Sequence, residues 1–423
     1  MLHKLHYLLM IALLDANDNR DESSFARFVS TNRILLSFYY LHSSIFFFAV
    51  LPFLFRVDRW DERNKQQNTQ RHISHQQPSS RLFIFFRVLA ITFRCFERMF
   101  LLILFLFIVY GSYRLYQYLY PSPNVNPQGK YVLISGCDTG FGHTLAITLD
   151  QQGFNVLAGV YSATNQTSLE QKLSSRATVF CLDITQPAQI EDAYQLVKSK
   201  TNTLYALVNN AGIDQDGLID WISLDFMRHM MEINFFGHVA MTKTFLPLLL
   251  TKRGSRVVNL CSVAGYLVAP SMAAYCATKY AFESFSDCLR REMYPWDLRV
   301  SIIEPSYMRT PIIEGHVQNM CKMWNRLPME VRDRWGENYF ENLAKKRLDN
   351  LFIRWAQEPI VVVRALEHAV MNTKPQIRYR PGWQSSLLFF PLSIIPAWIT
   401  DFIMQVARGP NVTPAGVSKQ LRD

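Results

Sequence analysis

The cysteines of this 423-residue chain form no Cys-x-x-Cys pair and have no histidine partner at zinc spacing. Neither a disulfide framework nor a metal site is therefore expected. Three of the seven, Cys137, Cys181 and Cys261, fall in or beside predicted buried strands, where a thiol serves as a small hydrophobe. Charge is scarce at 18%, and the net +10 does not carry a nucleic-acid signature. Residues 1–98 hold 13 Lys+Arg against 8 Asp+Glu, a difference of +5 and so half of that total, and those charges flank apolar runs. Arg87, Arg94 and Arg98 recur on one helical face beside Phe85, Phe86, Leu89 and Phe93, a basic amphipathic pattern suited to a lipid surface. No nucleic-acid partner is expected.

Apolar runs of membrane length are also few. Only Ile34 to Phe55 is long enough to span comfortably, since the hydrocarbon layer takes ~20 apolar residues. Met99 to Tyr110 is shorter, but Tyr113, Tyr116, Tyr118 and Tyr120 behind it read as an interfacial aromatic belt. Leu387 to Met404 is interrupted by Pro391 and Pro396, which implies a kinked, re-entrant or surface-lying element rather than a simple span. The chain then divides into an extension (1–98), a membrane anchor and linker (99–128), a core (129–313), a substrate lid (314–384) and an apolar membrane-associated tail (385–423). The anchor and linker are complete from Met99 onward, so residues 1–98 read as an alternative or mis-assigned extension.

From Lys130 short β-rich runs alternate with helical stretches, the signature of a parallel sheet covered by helices. Strands are expected at Tyr131–Ser135, Asn155–Val160, Thr178–Leu182, Tyr205–Asn209, Arg256–Leu260 and Arg299–Glu304. Helices are expected at Gly140–Gln152, Pro187–Lys200, Ser223–Leu250 and Ala273–Met293, with Gly153 as a C-terminal cap and Ser223 as an N-terminal one. The fold class is α/β, a doubly wound parallel sheet of Rossmann type, with C-terminal lid helices and membrane-associated termini.

Between the first strand and first helix lie Gly136, Cys137, Asp138, Thr139, Gly140, Phe141 and Gly142. Glycines in that context allow a tight turn and a close approach of pyrophosphate to a helix N-terminus. A 2′-phosphate wants Arg or Lys there or just after the second strand. This chain has Asp138 in the turn, and Tyr161-Ser162-Ala163-Thr164 after the strand. NAD(H) is favoured over NADP(H), although the acidic residue that would grip a 2′-hydroxyl is also missing, with Val160 near its place. Asp183 either accepts from an adenine amino group or caps a helix. Asn209-Asn210-Ala211-Gly212 closes the fourth strand with small residues that admit a nucleotide, or is ordinary turn chemistry.

Two Tyr-x-x-x-Lys pairs occur, Tyr194/Lys198 and Tyr275/Lys279. The first has no serine at the matching distance and reads as a surface helix. The second has Ser262 thirteen residues upstream and shares one helix face. The Lys279 ammonium, with the positive nicotinamide ring, is expected to lower the Tyr275 pKa from ~10, so that Tyr275 removes the alcohol proton. Ser262 would bind the substrate oxygen, Lys279 the nicotinamide ribose, and Asn234 a water joining Lys279 to solvent.

With these residues in this order and spacing, residues 130–313 resemble the short-chain dehydrogenase/reductases. The resemblance implies Tyr275 as proton acceptor, Ser262 as substrate-oxygen ligand, Lys279 as ribose contact, Asn234 as relay, and Thr310 as a seat for the nicotinamide end. One departure is Pro305-Ser306, where the family has Pro-Gly; a positive φ there would make serine costly. The glycine turn, Phe285-Ser286-Asp287, Leu289-Arg290-Arg291 and Arg378-Tyr379-Arg380-Pro381-Gly382-Trp383 further resemble the membrane-bound retinol and hydroxysteroid dehydrogenases. That likeness implies a hydrophobic alcohol as substrate, membrane lipid as partner, a membrane location (endoplasmic reticulum) and a homodimer.

Met320, Met323, Trp324 and Trp335 are lid candidates after the sixth strand. Two other readings stand beside the lipid-alcohol enzyme. A short-chain 3-hydroxy acid dehydrogenase would use lid cations such as Lys322, Arg326 and Arg332. A silent nucleotide-binding or scaffold protein would have no need of the Asn/Ser/Tyr/Lys set. Asn165-Gln166-Thr167 is an acceptor sequence for N-glycosylation.

Overall fold

The computed structural model describes residues 80–310, 315–408 and 412–422. The apolar run 34–55 and the side chains of Arg87 and Arg94 lie outside the described residues. The chain forms two compact units, Met1–Pro121 and Ser122–Asp423.

The described part of the first unit is one helix, α1 (Ser80–Leu119), which spans the expected division between residues 98 and 99. Its apolar residues from Phe100 to Tyr110 are all exposed, Phe107 at 69%. Among the described residues no helix is long and apolar enough to cross a membrane.

In the second unit the apolar runs become strands β1 (Tyr131–Ile134), β2 (Asn155–Val160), β3 (Thr178–Cys181), β4 (Ala206–Asn209), β5 (Arg256–Leu260) and β6 (Arg299–Ile303). Each lies within two residues of its expected bounds. A two-residue strand that periodicity did not reveal, β7 (Arg378–Tyr379), completes a parallel sheet in the order β3-β2-β1-β4-β5-β6-β7. β1, β4 and β5 are buried almost throughout, as strands covered on both faces must be. Strand order reverses between β1 and β4, and the divergence opens a crevice at their carboxyl ends.

The first crossover helices are α2 (Gly140–Gln151), α3 (Ala163–Glu170) and α4 (Pro187–Lys200). Gly153 closes α2 at φ +100°, a conformation only glycine adopts cheaply. The expected single helix from Ser223 is α5 (Leu224–Met231), a π-helical turn (Glu232–Gly237) and α6 (His238–Leu249). Ser223 caps α5, its hydroxyl accepting from the Phe226 amide at 3.2 Å. Helix α7 (Ala273–Glu292) follows β5. Leu145, Leu149, Val362 and Leu366 pack on one sheet face, and Ile190, Val197, Met241 and Phe245 on the other. Cys137 and Cys261 are buried, but Cys181 is exposed because β3 is an edge strand.

After β6 come α8 (His316–Arg326), α9 (Met329–Trp335), α10 (Glu337–Leu348), α11 (Leu351–Arg354) and α12 (Ile360–Met371). Helices α8 to α11 occupy the stretch expected as a lid, and Met320, Trp324 and Trp335 pack in one cluster with Trp221 and Phe340. Trp324 stacks on Phe340 at 4.7 Å and meets Trp221 edge-on at 5.0 Å, while Trp335 meets Trp221 at 5.9 Å. The apolar tail is broken, as its prolines imply, into a π-helical turn (Gln384–Phe389), α13 (Phe390–Ile394) and α14 (Ala397–Arg408). Trp398, Phe402 and Val406 form an exposed stripe along α14. A last helix, α15 (Ala415–Gln420), follows.

Candidate active site

Three glycines shape the turn after β1 in different ways. Gly136 sits at φ +71°, and a Cβ there would lie 2.7 Å from the Ala211 Cα. A Cβ on Gly142 would lie 2.4 Å from the Gly136 carbonyl oxygen, so this glycine serves closure of the turn. Gly140, at φ +64°, has nothing within 4 Å of its would-be Cβ and faces open space. Thr139, at the start of α2, makes no side-chain cap, which leaves the first amides of the helix for an anion.

Asp138 ties this turn to the end of β2. Its carboxylate accepts from the Tyr161 and Ser162 amides at 2.8 and 2.9 Å and from Asn165 Nδ2 at 3.0 Å. The side chain of the glycosylation sequence is thus engaged inside the fold. No basic side chain lines this end of the cavity.

The cavity measures about 550 Å³. It runs from Gly136, Asp138, Thr139, Gly140 and Phe141, past Tyr161, Asp183, Ala211 and Gly212, to Ser262, Tyr275, Lys279 and Thr310. An elongated cleft joining bare helix amides to a tyrosine–lysine pair fits a dinucleotide with its pyrophosphate on α2. Asp183 lines it while its Oδ1 accepts from the Thr185 amide and hydroxyl at 2.9 and 2.8 Å, a local turn. Asn209 and Gly142 do not line the cavity. Asn209 is fully buried and donates to Thr242 Oγ1 and Asn259 Oδ1 at 3.0 and 2.9 Å. It braces the strand end, and the adjacent Asn210 binds the Ser135 and Gly136 carbonyls at 2.9 Å each.

At the far end, β5 and α7 bring the catalytic candidates together. Ser262 and Tyr275 line the same end of the cavity, and the Ser262 Oγ donates to the Pro305 carbonyl at 3.4 Å and accepts from the Ala264 amide at 3.2 Å. Lys279 Nζ donates to the Leu260 carbonyl at 3.1 Å and lies 5.6 Å from the Tyr275 ring centre. Asn234, in the π-helical turn, does not line the cavity. Its side chain accepts from the Ile213 amide at 2.9 Å and donates to the Ile213 carbonyl at 2.8 Å and to Thr278 Oγ1 at 3.2 Å. It fastens the loop after β4 to α7. A Cβ on Gly212 would lie 3.2 Å from Asn234 Oδ1 and 4.0 Å from Lys279 Nζ, so the glycine lets these groups converge. Tyr194 and Lys198 lie on α4, away from the cavity.

The expected lowering of the Tyr275 pKa is not found in the protein alone. Burial raises it well above the usual tyrosine range and the Asp214 carboxylate raises it further, with the Ser262 hydrogen bond opposing. Burial likewise lowers the Lys279 pKa, against the raising influence of Cys261, Asp214 and Glu283. Burial is the largest cause of both shifts.

Several site groups carried no sequence signal. Asp214 shares the cavity with Tyr275. His238 is fully buried, its Nε2 donating to the Ala211 carbonyl at 2.8 Å and its ring stacked 4.8 Å from Phe282; burial, then Lys279, lowers its pKa to about 3. Ser306 has no positive φ, so serine carries no backbone penalty where the family has glycine. The far wall is apolar, with Leu267, Ala269, Met272, Phe389 and Met404. Lys322, Arg326 and Arg332 do not line the cavity.

A family model described as short chain dehydrogenase matches residues 130–320. Mouse retinol dehydrogenase 5 is 38% identical over 283 residues, covering 65% of this chain and 87% of that protein. Human short-chain dehydrogenase/reductase family 9C member 7 is 40% identical, covering 66% and 90%. Human 17-beta-hydroxysteroid dehydrogenase type 6 is 35% identical, covering 66% and 88%. In fold, the chain is similar to a short-chain dehydrogenase from Streptomyces avermitilis (TM-score 0.53, 24% identity, 68% of this chain and all of that one). It is also similar to a short-chain dehydrogenase/reductase from Burkholderia phymatum in complex with NAD (TM-score 0.52, 18% identity, 68% and 99%). This chain belongs to the short-chain dehydrogenase/reductase family, in its retinol and hydroxysteroid dehydrogenase branch, and is an alcohol dehydrogenase acting on CH–OH donors with a nicotinamide cofactor.

Proposed function

We propose that the protein is a membrane-associated, NAD(H)-dependent dehydrogenase of a hydrophobic alcohol such as a retinol or a hydroxysteroid. The observation that carries this reading is the single cavity whose polar end holds the glycine turn and whose reactive end places Ser262, Tyr275 and Lys279 beside an apolar wall. When bound, the nicotinamide supplies the two-electron acceptor for the carbinol hydrogen. Ser262 Oγ orients the substrate oxygen and supports its developing charge. Tyr275 takes the hydroxyl proton in oxidation and returns it in reduction. Lys279 would hold the ribose, and its ammonium opposes the desolvation that keeps Tyr275 protonated. Asn234 acts by fixing the loop of Ala211 to Ile213 against α7; a relay water on it belongs to the same reading.

NAD(H) is favoured because a 2′-phosphate would meet the Asp138 carboxylate and the neutral Tyr161 and Ser162, with no cation to pair it. Membrane association is supported by the exposed apolar residues of α1 and by the stripe of Trp398, Phe402 and Val406, on the same helix as the cavity residue Met404. The 3-hydroxy acid reading is disfavoured because Asp214 stands near Tyr275 and would repel a carboxylate, while the lid cations lie outside the cavity.

The test is a panel of retinol isomers, hydroxysteroids and 3-hydroxybutyrate, each with NAD+ and with NADP+, assayed on the full chain in membranes. The reading expects turnover of a lipid alcohol with NAD+. Preference for 3-hydroxybutyrate, or for NADP+, would overturn the corresponding part of it.

A further inference from the structure

Asp138 is held by donors that all come from the segment after β2. Its Oδ2 accepts from the Tyr161 amide at 2.8 Å, and its Oδ1 accepts from the Ser162 amide at 2.9 Å and from Asn165 Nδ2 at 3.0 Å. An ionised carboxylate offers about four acceptor sites. Oδ1 is thus filled, and Oδ2 keeps one place, on a residue that lines the cavity with Tyr161. The strand-end position where an acidic residue would grip a ribose 2′-hydroxyl holds Val160, which is fully buried in the core. Asp138 reaches the same strand end from the glycine turn, through the amides of the next two residues.

Among the described residues Asn165 is the one side chain that donates to this carboxylate. It lies half-buried in the first turn of α3, and that helix is itself fixed to the sheet. Leu169 is fully buried in the core, and Gln166 Nε2 donates to the Val179 carbonyl at 3.2 Å and to Glu170 Oε1 at 3.0 Å. Without Asn165 the carboxylate would be held by two backbone amides alone and would gain a second open acceptor site, so its direction would be less restricted. Nδ2 of Asn165 is also the atom that a glycan would occupy in Asn165-Gln166-Thr167. The first two side chains of that sequence are engaged within the fold, while Thr167 is exposed.

We propose that Asn165 is a positioning residue of the cofactor site, orienting Asp138 so that the open place on Oδ2 receives the adenosine ribose 2′-hydroxyl of NAD(H), and that this use of Nδ2 excludes an N-linked glycan there in the cofactor-binding protein. This rests on the proposed function, in which the adenosine end of NAD(H) lies at the glycine turn. The acid that the strand end lacks is then supplied from the turn. An oriented acceptor suits a hydroxyl donor, whereas a 2′-phosphate would meet it charge against charge.

The test is fluorescence titration of the full chain, purified in detergent, with NADH and with NADPH. Asn165→Ala is expected to raise the NADH Kd about fivefold or more and to lower the preference for NADH over NADPH. Alanine is the better helix former, so such a loss reports the carboxylate and not α3. Asn165→Asp keeps the shape but sets acceptor against acceptor. Its NADH binding is expected to be weak at about pH 8 and to recover towards about pH 5.5, where one proton shared by the two carboxyls restores a hydrogen bond. Thr167→Ala removes the glycan sequence, leaves the Asn165 amide and should bind as wild type does. Mass spectrometry of chain eluted from an AMP resin by NADH should find Asn165 unmodified.

Unchanged affinity and selectivity in Asn165→Ala, a pH profile of Asn165→Asp parallel to wild type, or a loss in Thr167→Ala equal to that in Asn165→Ala would overturn the inference. A glycan on Asn165 in the eluted chain would overturn the exclusion. The two claims separate on the wild type. NADPH bound as tightly as NADH removes the cofactor part of the proposed function and the inference with it, whereas a wild type selective for NADH with unaltered Asn165 variants removes the inference alone.

Discussion

Ser306 donates its hydroxyl to Gln384 Oε1 at 3.0 Å, and the fully buried Gln384 donates in turn to the carbonyls of Phe352 and Trp355 at 3.0 and 3.1 Å. One amide thus ties the segment after β6 to α11. The serine that departs from the family's Pro-Gly is used as a hydrogen-bond donor. Gln384→Ala would leave two carbonyls and a hydroxyl without partners, at a cost of about 1–3 kcal/mol, and Ser306→Ala about 0.5–1.5 kcal/mol. Thermal denaturation checks both, and an unchanged midpoint in Gln384→Ala would contradict this account of the tie.

His238 predicts a pH dependence of stability. Its folded pKa of about 3 lies below the ordinary value of 6.5, so between these values the unfolded chain binds a proton that the native protein does not. Stability from this group is present above about pH 6.5 and falls as pH drops towards 3, with a limiting slope of about 1.4 kcal/mol per pH unit. Chemical denaturation across this range should show a shallower acid slope for His238→Gln than for wild type. Parallel slopes would mean that the imidazole escapes or finds a partner when protonated.

The adenosine end offers a test of cofactor choice. Tyr161 is 73% exposed, lines the cavity and begins the turn capped by Asp138. Tyr161→Arg would supply the missing cation for a 2′-phosphate and should raise kcat/KM for NADP+ relative to NAD+ by about tenfold. Steady-state kinetics with the two cofactors reads the ratio. An unchanged ratio would place the 2′ position elsewhere.

Much of this molecule was legible in advance because the dominant physics was local. Near-continuous apolar runs such as Tyr131–Ile134 and Arg256–Leu260 could only be strands buried on both faces. The turn glycines and the Ser262, Tyr275, Lys279 spacing needed only the order of elements to converge. Helix α3 carries no periodic signal because ATNQTSLE is polar nearly all round, and β7 carries none because two residues make no period. The π-helical turn around Asn234 left no trace in the pattern of residue types. Cys181 looked buried because strand rank in the sheet is not written in the strand itself. Asp216–Arg347 and Ser306–Gln384 join residues far apart in sequence, and such pairs emerge only once the fold is assembled. The raised Tyr275 pKa carries no sequence signal, because spacing reveals the lysine partner but not the burial.

The measurement that reaches the central claim most directly is the kcat of Tyr275→Phe beside wild type, with NAD+ and a lipid alcohol, together with NADH binding by fluorescence. Removing the phenol should lower kcat at least ~10²-fold while NADH still binds, because the glycine turn and Lys279 are untouched. Comparable turnover in the two proteins would contradict the account, since Tyr275 would then not be the group that takes the proton.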